Sequence, residues 1–153
     1  MNNRALQIRL IDASLEAALV RFFEEIQSSG ETDFFHPHPF TAIEAQRRVQ
    51  YCGSDLYYAL TDDAQIIGYG MLRGWDEGYA IPSLGIYIAR SARGRGLGEL
   101  LMQFLHAAAR SKGAEKIRLK VYSHNVTAVA LYQKLGYHFK QQEFHQLIGY
   151  LVL

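Results

Sequence analysis

The segment Arg93-Gly94-Arg95-Gly96-Leu97-Gly98 constrains this chain more than any other. It joins an alternating apolar run, Ser83 to Ala89, to a strongly amphipathic stretch that begins near Gly96. A strand must turn sharply into a helix here. Glycines permit the turn and leave the backbone N–H groups bare. At the helix start those groups are unpaired and lie at the positive end of the helix dipole. A phosphate or pyrophosphate is the ligand such a loop suits. Arg90, Arg93 and Arg95 cluster at the same place and add positive charge.

Three kinds of phosphate loop are open, and two fit badly. A P-loop continues from its second glycine into Lys and Ser/Thr, whereas Gly98 is followed by Glu99-Leu100. A dinucleotide fingerprint needs G-x-G-x-x-G and an acidic residue at the end of the next strand. Gly94, Gly96 and Gly98 read G-x-G-x-G, and Lys116 to Ser123 ends without a carboxylate. The third pattern, Arg/Gln-x-x-Gly-x-Gly/Ala, is met by Arg93, Gly96 and Gly98. A second segment follows one helix and one strand later: Asn125, Ala128, then Leu131-Tyr132-x-Lys134-x-Gly136-Tyr137. In this order and spacing the two segments resemble the GNAT superfamily of acetyl-CoA-dependent N-acetyltransferases. The likeness is specific from about Pro82 to Phe139.

The resemblance implies a fold and a set of roles. The fold is α/β (α+β), a GNAT-like mixed, largely antiparallel central sheet flanked by helices in the order βααβββαβαββ. Residues 1–153 would form a single N-acetyltransferase domain. The strand before the glycine loop would separate from its neighbour and open a cleft for acetyl-CoA (coenzyme A), a co-substrate that needs no metal. Backbone groups of Ile86, Tyr87 and Ile88 would line its pantetheine arm. Arg93, Gly94, Arg95, Gly96, Leu97, Gly98 and Glu99 would hold its pyrophosphate. Asn125 would cap the later helix and contact the cofactor. Tyr132 would be the catalytic acid that returns a proton to the departing thiolate, and it would also touch the cofactor.

The acceptor side is less distinct. Phe34 to Phe40 is dense in aromatics, histidine and proline, and in the resembled fold this region faces the acceptor; Phe35, His36 and His38, with Glu77 of a later loop, are the candidate acceptor contacts. His36 and His38 lack a third partner for a metal. Where many relatives carry a glutamate base, this chain has Lys120 in Leu119-Lys120-Val121-Tyr122-Ser123. Glu77 and Asp76 are possible substitutes, and the base stays unassigned. The expected activity is acetyl transfer from acetyl-CoA to an amine of a small molecule or peptide, by direct attack in a ternary complex. The alternative is a non-catalytic coenzyme A sensor, which would need the glycines and not Tyr132.

Length and composition agree. At 153 residues the chain suits one domain, and 49% apolar with 20% charged residues is a globular balance. A net charge of +1 gives no reason to expect nucleic acid or membrane as a partner. The lone Cys52 excludes an internal disulfide framework and is expected to be a small packing residue. Met1 to Leu10 has no continuous apolar stretch, so a cytoplasmic location is expected. A homodimer is compatible with the sequence.

Periodicity places a strand at Leu6 to Ile11 and a helix entered through Asp12 or Ser14 and ending before Gly30. Thr41 with Glu44 predicts a capping box on a second helix. Strands are expected at Asp55 to Leu60 and Gln65 to Leu72, turning at Asp62-Asp63. After the glycine loop, Leu97, Leu100, Leu101, Phe104, Leu105 and Ala108 form the expected core stripe. Ala128, Leu131, Tyr132 and Leu135 share a face of the last helix, and strands Tyr137 to Glu143 and Leu147 to Leu153 finish the chain.

Overall fold

Alternating apolar residues build one twisted seven-stranded sheet, in spatial order β1-β2-β3-β4-β5-β7-β6, in a computed structural model that describes residues 5–153. The strands are β1 (Leu6–Leu10), β2 (Leu56–Asp62), β3 (Gln65–Arg73), β4 (Ser83–Ile88), β5 (Lys116–Tyr122), β6 (His138–Glu143) and β7 (Gln146–Val152). The helices are α1 (Glu16–Ser28), α2 (Ala42–Val49), α3 (Leu97–Ser111) and α4 (Val126–Lys134), giving the predicted order βααβββαβαββ. All neighbouring strands run antiparallel except β4 and β5. The fold is mixed α/β, with the sheet flanked by helices.

Strand alternation sends side chains to opposite faces. Tyr57, Ala59, Tyr69, Met71 and Tyr87 pack with Leu19, Phe22, Phe23 and Ile26 of α1 and Ala45 and Val49 of α2. Leu72, Leu84, Ile117, Leu119 and Val121 pack on the other face with Leu101, Met102 and Leu105 of α3 and Tyr132 of α4. The α3 stripe is rotated from its expected position. Leu97, Leu101 and Leu105 are buried as read, but Met102, His106 and Ala109 complete the stripe, and Leu100 is exposed. His106, a polar residue in that stripe, is buried with the Tyr137 hydroxyl 2.8 Å from its Nε2.

Local signals are met with small shifts. Asp12 caps a 3-10 turn, Ala13–Leu15, by accepting from the Ser14 N–H. The Thr41 hydroxyl accepts from the Glu44 N–H at 3.1 Å, which is half of a capping box. The other half is absent because the Glu44 carboxylate is buried against Arg47 and Arg48. The β2–β3 turn is Asp63-Ala64, one residue later than read, with Asp63 at φ 56°. Cys52 is exposed, so the expected packing role is not found, and α2 ends at Val49.

Candidate active site

The parallel neighbours β4 and β5 part almost at once. Their pairing is confined to Ser83 with Arg118, where the Arg118 N–H donates to the Pro82 carbonyl at 3.0 Å. The Ala89 N–H donates to the Ile67 carbonyl at 2.8 Å, so by antiparallel alternation Tyr87 and Gly85 also turn their backbone groups toward Tyr69 and Met71 of β3. Alternation therefore turns Ile86 and Ile88 toward the gap, where no strand pairs with them. A strand-shaped slot results, closed at Ser83–Arg118 and edged by the peptide groups of Ile86 and the N–H of Ile88, the Ile88 carbonyl being taken by Arg93.

At the wide end lies the glycine loop. Gly94 and Gly96 have φ of 77° and 75°, a region that side chains strain to enter. Gly98 is different: it has no positive φ. A Cβ there would meet only Leu131 at 3.7 Å and Ile88 at 3.9 Å, ordinary contacts. The chain's own packing thus gives no reason for glycine at 98. No backbone acceptor among the described residues pairs with the N–H groups of Gly94 to Glu99; the first helical bond is Leu100 to Gly96 at 3.1 Å. Those of Leu97, Gly98 and Glu99 are the free donors of the α3 N-terminus, and no side chain caps it.

The second motif is brought to the first. Leu131 of α4 and Ile88 of β4 both approach Gly98, and Lys134 of α4 pairs with Glu99 of α3 at 2.9 Å. Asn125 caps α4 by accepting from the Ala128 N–H. Tyr132 is the buried residue of α4, and burial pushes its hydroxyl up to about 12. It therefore keeps its proton at neutral pH.

Arg93 is committed within the chain. Its guanidinium pairs with Glu31 at 2.9 Å, donates to the Ile88 carbonyl at 3.0 Å and lies over the Tyr87 ring. Tyr87 also donates to Glu31 at 3.0 Å. Burial pushes the Glu31 carboxyl up, but the hydrogen bonds from Arg93 and Tyr87 and the charges of Arg93 and Arg90 outweigh it and hold it below its usual value. Arg93 thus fixes the loop to β4 and to the end of α1. Glu31 was missed by sequence reasoning, since only the fold brings it to Arg93.

The family is decided by the length of the match: the Acetyltransferase (GNAT) family profile covers residues 19–137. The chain belongs to the GNAT family. It is 45% identical over 78 residues to the uncharacterized N-acetyltransferase YdgE of Bacillus subtilis, covering 44% of this chain and 48% of that one. It is 32% identical over 120 residues to mycothiol acetyltransferase of Corynebacterium glutamicum, covering 73% of this chain and 39% of that protein. The chain thus spans half or less of these curated relatives. Among solved structures, the GNAT domain of S. lividans PAT has a TM-score of 0.82 at 18% identity, covering 97% of this chain and 90% of that one. The PaiA N-acetyltransferase of Thermoplasma acidophilum, solved with coenzyme A, has a TM-score of 0.78 at 16% identity, covering 97% and 99%. These two likenesses show the fold.

In this GNAT chain the loop between α1 and α2 spans the widening gap. Phe35 stacks on Tyr87 of β4, with ring centres 5.4 Å apart. Phe34 reaches the other side, edge-on to Tyr122 at 6.1 Å and His124 at 5.2 Å. His36 is exposed beside Tyr122. His38 turns inward: its Nδ1 lies 2.7 Å from the Pro39 carbonyl and its Nε2 2.8 Å from the Tyr69 hydroxyl. A carbonyl only accepts, so Nδ1 carries the proton and Nε2 accepts from Tyr69. Burial holds His38 below its usual pKa. Both nitrogens are occupied in packing the aromatic cluster of Phe23, Phe40 and Tyr69.

The two loop carboxylates separate. Asp76 accepts from the Tyr51 hydroxyl and from the Ser54 N–H at 2.7 Å, so it is a fastening of the loop. Glu77 instead lines a pocket of about 550 Å³ with Arg73, Tyr79, Ser83, Arg118 and Tyr150. Lys120, which stands where a base was sought, pairs with Glu143. Among the described residues no His/Cys/Asp/Glu cluster is arranged to hold a metal, and no helix is long and apolar enough to cross a membrane.

Proposed function

We propose that this chain transfers an acetyl group from acetyl-CoA to an amine by direct attack in a ternary complex. The observation that carries the reading is the slot between β4 and β5, edged by the Ile86 peptide groups and the Ile88 N–H, opening onto the unpaired N–H groups of Gly94 to Glu99. An extended amide-bearing arm fits the first, and a pyrophosphate fits the second. Family membership supports acetyltransferase activity in general. The co-substrate would supply an activated thioester.

In the reaction the amine nitrogen forms a bond to the acetyl carbon and the carbon–sulfur bond breaks. One proton leaves the nitrogen and one is taken up by the sulfur, giving an N-acetyl amide and a free thiol. Tyr132, in the same buried cluster as Leu84 of β4 and Leu101 of α3, is the proton donor in this reading. A hydroxyl held protonated by burial suits that role. Asn125 orients α4, and Ile86, Tyr87 and Ile88 form the wall along which the thioester arm lies.

The test is thiol release from acetyl-CoA with a panel of amines, alongside calorimetric binding of acetyl-CoA. Tyr132→Phe keeps the ring and removes the donor. It is expected to lower kcat by about 100-fold with little change in acetyl-CoA affinity. Unchanged turnover in the variant would remove Tyr132 from the mechanism. Tight binding with no turnover on any amine would favour a coenzyme A sensor.

A further inference from the structure

The pocket carrying Glu77 sits where β4 and β5 part. Ser83 and Arg118, the pair at which the strands separate, both line it. Residues of β5 alternate, so Ile117, Leu119 and Val121 are buried against α3 and α4, while Arg118 projects to the face carrying Tyr87. Arg73, paired with Ser83 across β3, projects to the same face, and its guanidinium donates to the Pro37 carbonyl at 2.6 Å. The pocket is therefore tied both to the closed end of the slot and to the loop between α1 and α2.

Its charge is unbalanced. Two guanidinium groups and one carboxylate, Glu77, line it. Arg118 makes no ion pair or side-chain hydrogen bond among the described residues, and its Nε is buried without a partner. A buried donor with no acceptor is costly, and arginine has five donors in a fixed fork suited to oxyanions. The adjoining groove, which shares Ile81 and Tyr150 with the pocket, adds Lys116, His138 and Lys140. The loop bearing Glu77 is itself well fixed: the Asp55 carboxylate accepts from the N–H groups of Gly74 at 2.9 Å and Trp75 at 2.8 Å. Rigid walls and a size of about 550 Å³ suit a small molecule.

We infer that the acetyl acceptor is a small amine that also carries an oxyanion, a carboxylate or a phosphate, held by Arg118 and Arg73 at the closed end of the slot. The inference rests on the acetyltransferase reading above and narrows it to one acceptor class. The Glu77 carboxylate in the same lining balances the ammonium form of that molecule. A neutral amine would leave the Arg118 guanidinium without its acceptor, so discrimination arises from the penalty on the wrong ligand as much as from attraction to the right one.

The experiment measures kcat/KM with matched pairs of acceptors, using thiol release. Amino acids are set against their amides, and amino sugar phosphates against the free amino sugars. The acid-bearing member of at least one series is expected to be favoured by about 100-fold or more, and the series that shows it identifies carboxylate or phosphate. Arg118→Gln should collapse that ratio toward one, chiefly through KM, and Arg118→Lys should restore part of it. Acetyl-CoA affinity and the thermal midpoint, measured on the same variants, separate this loss from misfolding. Equal turnover of acid and neutral partners, turnover of neutral amines alone, or an unchanged ratio in Arg118→Gln overturns the inference and leaves the acetyltransferase reading intact. Acetyl-CoA binding without turnover of any acid-bearing amine also overturns it. Absence of acetyl-CoA binding overturns both.

Discussion

His106 is 3% exposed on α3, with its Nε2 2.8 Å from the Tyr137 hydroxyl. Burial, with a smaller contribution from the charge of Arg110, pushes the imidazole down to about 4. An unfolded histidine titrates near 6.5. As pH falls the unfolded chain therefore takes up this proton first. The stability that the neutral imidazole contributes is complete above about pH 6.5 and is lost as pH falls toward 4, on the order of 1–3 kcal/mol. His106→Leu should be less stable at pH 7, because Tyr137 loses its partner, but its urea midpoint should change less between pH 7 and pH 4.5. Parallel pH profiles would mean that His106 is not the group responsible. The residues whose surroundings are least legible in sequence are those whose partners are distant. Arg93 is expected at the phosphate loop, and the fold adds Glu31, 62 positions away, as a partner of its guanidinium. His38 read as an acceptor contact, and the fold buries it against Tyr69. Nothing local in either neighbourhood announces such a partner.

At the scale of elements, the strand–loop–helix unit around Gly96 was legible because each part has a local signature: alternation, positive-φ glycines and an apolar stripe. The rotation of the α3 stripe was not, since the arc a sheet takes depends on what lies beneath it, here Gly70 against Leu101 and Leu105. The two glycines now make separable predictions. Gly96→Ala forces a side chain into φ 75° and should cost about 1–2 kcal/mol of stability. Gly98→Val lies in helical backbone with only ordinary contacts around its Cβ, so it should cost less than about 1 kcal/mol. If the loop holds a pyrophosphate against its backbone, Gly98→Val should nonetheless weaken acetyl-CoA binding by at least about 10-fold. Thermal unfolding and calorimetric titration on both variants check this. A Gly98→Val protein that binds as tightly as the parent would place the ligand away from residue 98.

Taken whole, the molecule is two packed halves of one sheet, β1 to β4 and β5 with β7 and β6, joined along the sheet by the single Ser83–Arg118 pair. The order β5-β7-β6 puts the chain's last strand inside the sheet, beside β5, and leaves the slot as the place where neighbouring strands part inside the sheet. Periodicity found the strands and their order along the chain; the splay is a property of how the halves pack on α3 and α4, and no single segment encodes it. A ligand lying in the slot as an extra strand must change the backbone there in a specific way. Without ligand, the N–H groups of Ile86 and Ile88 should exchange with solvent faster than those of Gly85 and Tyr87, which face β3. Saturating acetyl-CoA, at about 100 times its Kd, should raise global stability by about 2.7 kcal/mol. That rise alone would slow the amides that exchange by global unfolding, Gly85 and Tyr87 among them. Occupation of the slot should instead give the largest local slowing at Ile86, Ile88 and Gly94 to Glu99. Amide exchange followed residue by residue, with and without acetyl-CoA, separates the two. Stabilisation without local protection at Ile86 and Ile88 would mean the ligand binds outside the slot, and the division of roles between the two halves would have to be redrawn.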